Sequence, residues 1–218
     1  GGIYRIRKTG APKVDDPRGK KLPWGTLPPT DLAALLADER PEVVQRAIHL
    51  LGQRGAAGVT ALTQKGLNSP SVAARRNAVW TLARIDDAAA RAAVRRALND
   101  GDTSVVQTAL QVVSLWRDQH PNDRLTSLLA AENPALVRAA AEAVGRIGGA
   151  WAIDGLLAAA GRLPETKFTA TGTPENSADR TLEHALIYAL IEIGQRDPVL
   201  AQVKSAGNPR LVRIALVA

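Results

Sequence analysis

The stretch Asp31-Leu32-Ala33-Ala34-Leu35-Leu36-Ala37-Asp38-Glu39-Arg40-Pro41-Glu42-Val43-Val44-Gln45-Arg46-Ala47-Ile48-His49-Leu50-Leu51-Gly52 decides the fold. Leu32, Leu35 and Leu36 stand at i, i+3 and i+4, the apolar stripe of a short helix. Asp38-Glu39-Arg40-Pro41 then interrupts it. Proline is tolerated in a helix's first turn, where its missing N–H would have no partner. Val44, Ala47, Ile48 and Leu51 continue at helical spacing, with Gly52 and Gly55 as stop signals. The unit reads as two helices joined by a tight turn.

The unit repeats. Leu36, Leu67, Leu98 and Leu129 are 31 residues apart, as are Ala47, Ala78, Ala109 and Ala140. Two further columns stay apolar at the same step: Ile48, Val79, Leu110, Ala141 and Leu51, Leu82, Val113, Val144. Turn residues recur as Asn68-Ser69-Pro70, Asp102-Thr103-Ser104, Asn133-Pro134 and Asn208-Pro209, whose side chains can accept from the free N–H groups of the second helix. The alanine column predicts close helix approach. Gly145-Arg146-Ile147-Gly148-Gly149 reads as a helix end, Gly145 falling in the column of Gly52. After Ala140 the register breaks: Ala185 takes the column 45 residues on and Ala215 follows 30 later. The insert, residues 162–179, reads as a long exposed loop, a length that is either functional or disordered. The expectation is an all-α fold, an α-solenoid of about six helical hairpins over residues 31–218, each touching mainly its neighbours. Pro209 to Ala218 carries no polar cap, so the array is expected to continue beyond it.

Composition agrees. The 218 residues include 39 alanines and only seven aromatics, with no Met, so packing must rest on small side chains. The absence of Cys excludes disulfides, thiolate zinc sites, cysteine nucleophiles and covalent c-type haem within these residues. No apolar run approaches the roughly 18 residues of a membrane span. The net charge of +7 is uneven. Residues 1–30 hold seven basic and two acidic side chains, leaving 21 against 19 in the rest. A nucleic-acid reader usually carries its basic stripe on a folded face, whereas most of this excess lies in the leader. Residues 1–8 suggest a strand left from a preceding domain, because Tyr4 and Ile6 alternate with polar residues. Residues 9–30, rich in Pro and Gly, read as a solvated basic linker. Trp24 is expected to pack back onto its neighbour, its apolar area being costly to leave in water.

Candidate chemistry is sparse. His49, His120 and His184 stand in no metal or catalytic spacing. Asn99-Asp100-Gly101-Asp102-Thr103-Ser104 resembles the start of a calcium loop but lacks its closing Glu, since residue 111 is Gln; Asp102 or Thr103 is expected to cap a helix instead. No nucleophile elbow, phosphate loop or dinucleotide fingerprint appears. The second-helix surface carries Gln45, Arg46, His49, then Arg75, Arg76, Trp80, then Gln107, Gln111, then Arg138, Glu142, and finally Arg210, Arg213. Of these, Arg75, Arg76 and Trp80 form the most interaction-like cluster, cations beside an aromatic. Lys167 and Phe168 are the candidate contacts in the long loop, and Glu183 with His184 a candidate polar pair.

Leu136-Val137-Arg138-Ala139-Ala140-Ala141-Glu142-Ala143-Val144-Gly145 resembles the second helix of HEAT repeats, including those of phycobilisome-lyase-like proteins. Gly2-Ile3-Tyr4-Arg5-Ile6 resembles the closing strand of a sugar-dehydrogenase-like propeller. Leu182-Glu183-His184-Ala185-Leu186-Ile187-Tyr188-Ala189-Leu190-Ile191-Glu192 resembles the HEAT region of planctomycete-type membrane-bound dehydrogenase proteins. These likenesses imply a periplasmic or secreted redox parent whose chemistry resides in other domains; without them a cytoplasmic location stands. The reading is a non-catalytic scaffold, without cofactor, that spaces flanking domains and binds protein. Two rivals remain: a HEAT-like nucleic-acid binder or base-repair protein, and a lyase-like tetrapyrrole chaperone.

Overall fold

The computed structural model describes residues 2–4, 8–10, 12–120, 123–164, 177–206 and 208–217. They form six helical hairpins and, among the described residues, no strand. The first pairs α1 (Pro29–Ala34), which runs into a 3-10 turn (Leu35–Ala37), with α2 (Pro41–Gln53). The second pairs α3 (Gly55–Ala61), extended by a π-helical turn (Leu62–Gly66), with α4 (Val72–Leu82). Then come α5 (Ala88–Ala97) with α6 (Thr103–Trp116), and α7 (Asp123–Leu129) with α8 (Pro134–Ile147). A short 3-10 turn (Ala150–Ala152) leads into α9 (Ile153–Gly161), whose partner is α10 (Ser177–Ile193). The last hairpin is α11 (Arg196–Ala206) and α12 (Pro209–Val217). Second helices α2, α4, α6, α8 and α10 each pack on the next, so the hairpins stack in two layers.

Turn chemistry starts the second helices. Asp102 accepts from Ser104 N at 2.8 Å, Asn133 from Ala135 N at 2.9 Å and Asn208 from Arg210 N at 2.9 Å. At α4 the cap is Ser71, accepting from Ala74 N at 3.3 Å. Asn68 faces the other way and closes the preceding π turn, donating to the carbonyls of Thr63 and Gln64. α2 has no side-chain cap and begins on Pro41.

The alanine column is fully buried: Ala47, Ala78, Ala109 and Ala140 are each 0% exposed. Leu36, Leu98 and Leu129 are buried as the period requires, while Leu67, just past the π turn, is half-buried. In α2 it is Val43, more than Val44, that enters the core. Two expectations need correction. Ala185 is only half-buried; Leu186 is 0% exposed and takes the column, so the helix resumes one residue later than the sequence period suggests. The Gly145–Gly149 stretch does hold the end of α8, but at Gly148 and not at Gly145. Gly145 lies inside α8, and a Cβ there would stand 2.8 Å from Ala189 Cα and 3.0 Å from Ala189 Cβ. The missing side chain lets α8 and α10 make the most extensive helix contact among the described residues. The helix stops at Gly148, whose φ of +79° suits glycine.

Polar side chains tie successive turns together. Arg75 forks onto Asp100 at 2.8 and 3.0 Å and also donates to the Ser69 carbonyl at 2.9 Å, joining the turns of the second and third hairpins. Arg95 holds Asp118 in the same forked manner at 2.7 and 3.0 Å. Burial of Asp118 opposes its ionisation, but hydrogen bonds from Arg95 and His120 outweigh that and hold the carboxyl below its usual range.

The leader is largely exposed, but one stretch of it, Asp16 to Trp24, is held against the first hairpin. Asp16 accepts from Lys20 N and Lys21 N, Trp24 Nε1 donates to the Gly19 carbonyl at 2.6 Å, and Arg46 lies over the indole at 4.7 Å. Trp24 is 7% exposed, packed as expected against the first hairpin. Gly19 has a φ of +61°, and a Cβ there would meet Val43 Cγ2 at 2.7 Å. Apolar area drives this closure of the leader against α2. Ile3 and Tyr4 are exposed, and the rest of the strand expectation, at Arg5–Arg7, lies outside the described residues. α10 begins at Ser177, inside the expected insert, of which residues 165–176 also lie outside the described residues.

Candidate functional site: the second-helix face

Because helical residues four apart stack on one face, each second helix presents an equivalent outward pair. These pairs are Gln45 and His49 on α2, Arg76 and Trp80 on α4, Gln107 and Gln111 on α6, Arg138 and Glu142 on α8, and His184 and Tyr188 on α10. From α6 to α10 they border one groove of about 770 Å³, lined also by Ile187, Ile191 and Glu192, with Val217 of α12 at its end. Its floor is apolar and its rim polar, the usual character of a recognition surface. Glu142 pairs with Arg146 at 3.2 Å. The Gln107 and Gln111 amides can each donate and accept, the capacity that pairs with an extended backbone. Large apolar side chains are exposed on this face at Trp80, Leu115, Tyr188 and Ile191, all on second helices. Among the described residues, the first helices α1, α3, α5, α7 and α9 expose none, while α11 exposes Leu200 and the 3-10 turn before α9 exposes Trp151.

The repeat geometry agrees with sequence comparison: the family described as HEAT repeats matches residues 29–114 and 97–168. The chain belongs to the HEAT repeat family. This HEAT chain is also similar in fold to the complex of CpcE and CpcF of phycocyanin lyase from Nostoc sp. PCC7120. That likeness has a TM-score of 0.55 and 19% identity, over 99% of this chain and 80% of the other. A designed armadillo repeat protein in complex with the peptide (KR)4 aligns with 86% of this chain and 96% of its own length, at 16% identity and a TM-score of 0.43. No curated protein matches the chain in sequence.

Within this HEAT stack the expected cluster divides. Arg76 and Trp80 share the outward face of α4, but Arg75 turns aside to hold Asp100 and the Ser69 carbonyl. Its guanidinium is committed to the stack. The arginine-on-tryptophan contacts seen are Arg46 over Trp24 and Arg91 over Trp116 at 4.8 Å, both structural. Glu183 and His184 divide likewise: Glu183 is buried and paired with Arg213 of α12, while His184 lines the groove. Lys167 and Phe168 lie outside the described residues. His49 meets Gln53 at 3.1 Å and His120 meets Asp118 at 2.9 Å. Asp102 is a helix cap, and the Asp100 carboxylate is taken by Arg75 and the Asp102 N–H, which removes the calcium-like reading. Among the described residues no three His, Cys, Asp or Glu side chains gather as a metal site, and no helix is long and apolar enough to cross a membrane.

Tyr188 and Ile191 were not marked by sequence as site residues. The signal was present in the outward position of α8, Arg138 and Glu142, but the insert hid the one-residue shift that aligns His184 and Tyr188 with it.

Proposed function

We propose that this HEAT-repeat chain is a non-catalytic scaffold whose second-helix face holds a segment of a protein partner. One observation carries the reading: Tyr188 and Ile191 are exposed in a groove of about 770 Å³ rimmed with amides and charges, and Trp80 and Leu115 are exposed on the same second-helix face. Exposed apolar groups collected on one face mark contact surfaces, whereas singly scattered ones need no explanation. The stacked hairpins also fix a separation between whatever is joined to their two ends. A setting in an extracytoplasmic redox protein has the resemblance of two flanking segments as its support, and a pigment-handling role has likeness of fold alone.

The test is selection from a displayed peptide library against the whole chain and against a Trp80→Ser, Tyr188→Ser, Ile191→Ser variant. All three side chains are exposed, so the variant should keep its melting temperature. The reading expects peptides that bind the parent and lose the variant. Binders that hold both equally would place the contact elsewhere and remove this function from the groove.

A further inference from the structure

We infer that the segment held on the second-helix face, running from Arg76 of α4 into the groove at Arg138, is an extended acidic stretch of the partner, with two carboxylates about six residues apart and apolar side chains between them. The inference rests on the protein-binding reading above and adds the chemistry of the partner. Its basis is the first member of each outward pair: Gln45, Arg76, Gln107, Arg138 and His184. That row holds two arginines and no carboxylate. Arg76 and Arg138 are exposed, and no described residue forms an ion pair with either.

Spacing gives the pattern. Packed helices lie roughly 8–10 Å apart, and an extended chain advances about 3.3 Å per residue, so a segment crossing the second helices moves about three residues per hairpin. Arg76 and Arg138 are two hairpins apart, hence the separation of about six. Between them Gln107 and Gln111 face the segment's backbone, and one helical turn along, Trp80 and Tyr188 offer apolar contacts at either side.

The carboxylates in the groove separate this partner from a nucleic acid. Glu142 is tied to Arg146, and Glu192 stands one turn beyond Tyr188. A nucleic acid carries a negative charge at every phosphate and would set some of them against these two glutamates. A peptide with two separated carboxylates places its charges on the arginines and neutral residues on the glutamates.

The experiment uses the whole chain and three short fluorescein-labelled peptides of one sequence, whose two positions six apart are both aspartate, both asparagine or both lysine, with leucines between. The expected result is that the aspartate peptide binds about tenfold tighter than the others, a difference of about 1.4 kcal/mol, and that the preference weakens with salt. In an Arg76→Glu, Arg138→Glu variant the preference should pass to the lysine peptide. Both positions are exposed, and an unchanged melting curve would confirm that the variant is folded. Equal binding of the three peptides overturns the acidic assignment and leaves the groove as a peptide site. No binding by any of them also overturns it; the library selection then decides whether the protein-binding reading falls as well. A single-stranded oligothymidine that binds more tightly than the aspartate peptide overturns it in favour of nucleic acid.

Discussion

The two layers of the stack are built from the same alanine-rich helices yet end differently at the surface. The first helix α5 buries Ala90, Ala93, Val94 and Ala97 and leaves no large apolar group outside. Second helices such as α10 bury Leu182, Leu186, Ala189 and Leu190 and still expose Tyr188 and Ile191. Amphipathic periodicity explains the buried side of both. It does not require the outer apolar groups of the second layer, which are energetically unfavourable in water. The lesson is that folding constrains the inner face of every helix equally, so function is sought where the outer faces depart from one another.

That contrast assumes one shared core, and the largest predicted effect tests it. Leu98→Ala at the C-terminal end of α5 and Leu110→Ala in α6 remove equally buried side chains from opposite layers, and each should lower stability by about 3 kcal/mol in urea titrations. A cost below about 1 kcal/mol for either would mean that its layer is not part of the common core.

The next effect contrasts two adjacent arginines. Arg75→Ala leaves Asp100 and the Ser69 carbonyl without their guanidinium and should cost about 2 kcal/mol, whereas Arg76→Ala should change stability by no more than about 0.5 kcal/mol. Similar losses for the two would erase the division between stack and surface drawn at α4.

Gly145→Ala sharpens the contrast within the second layer. Alanine favours helix over glycine by about 1 kcal/mol, but its Cβ would press on Ala189, and overpacking costs about 1–3 kcal/mol. A net loss of about 1 kcal/mol is expected, with tryptophan fluorescence or chemical shifts reporting displacement of α10. A stabilised variant would show that α8 and α10 do not depend on this close approach.

The smallest effect concerns acid. The Asp118 carboxyl is held below its ordinary pKa, so the folded state binds its proton less readily than the unfolded chain does. Its contribution is therefore complete above about pH 4 and is lost as pH falls through the lowered value. Asp118→Asn should flatten the fall in melting temperature below about pH 4. An unchanged acid slope would remove Arg95 and Asp118 from the turn-to-turn network.

Much of the fold was legible because small and large residues alternate on one period. Ala47, Ala78, Ala109 and Ala140 needed only counting, and all four are fully buried. The site was less legible for a physical reason: a helix surface is coupled to its register, and the insert before α10 altered that register by one residue. Placing Ala185 in the column turned His184 and Tyr188 away from the row they share with Arg138 and Glu142. The leader misled differently. Pro and Gly in residues 9–30 suggested extended chain, but Trp24, Asp16 and Gly19 build a non-helical cover for the first hairpin. Arg75 looked like a contact residue because sequence shows which residue faces outward but not whether a turn one hairpin away already holds it.

The central claim, that the second layer is the binding face, has a direct test because the chain contains no cysteine of its own. Single cysteines at Gln111→Cys, in the groove, and Ala92→Cys, exposed on α5, give two thiols whose maleimide labelling rates can be compared with and without saturating aspartate peptide. The account predicts slowed labelling at residue 111 and an unchanged rate at residue 92. Protection at residue 92, or at neither position while the peptide is bound, would contradict it.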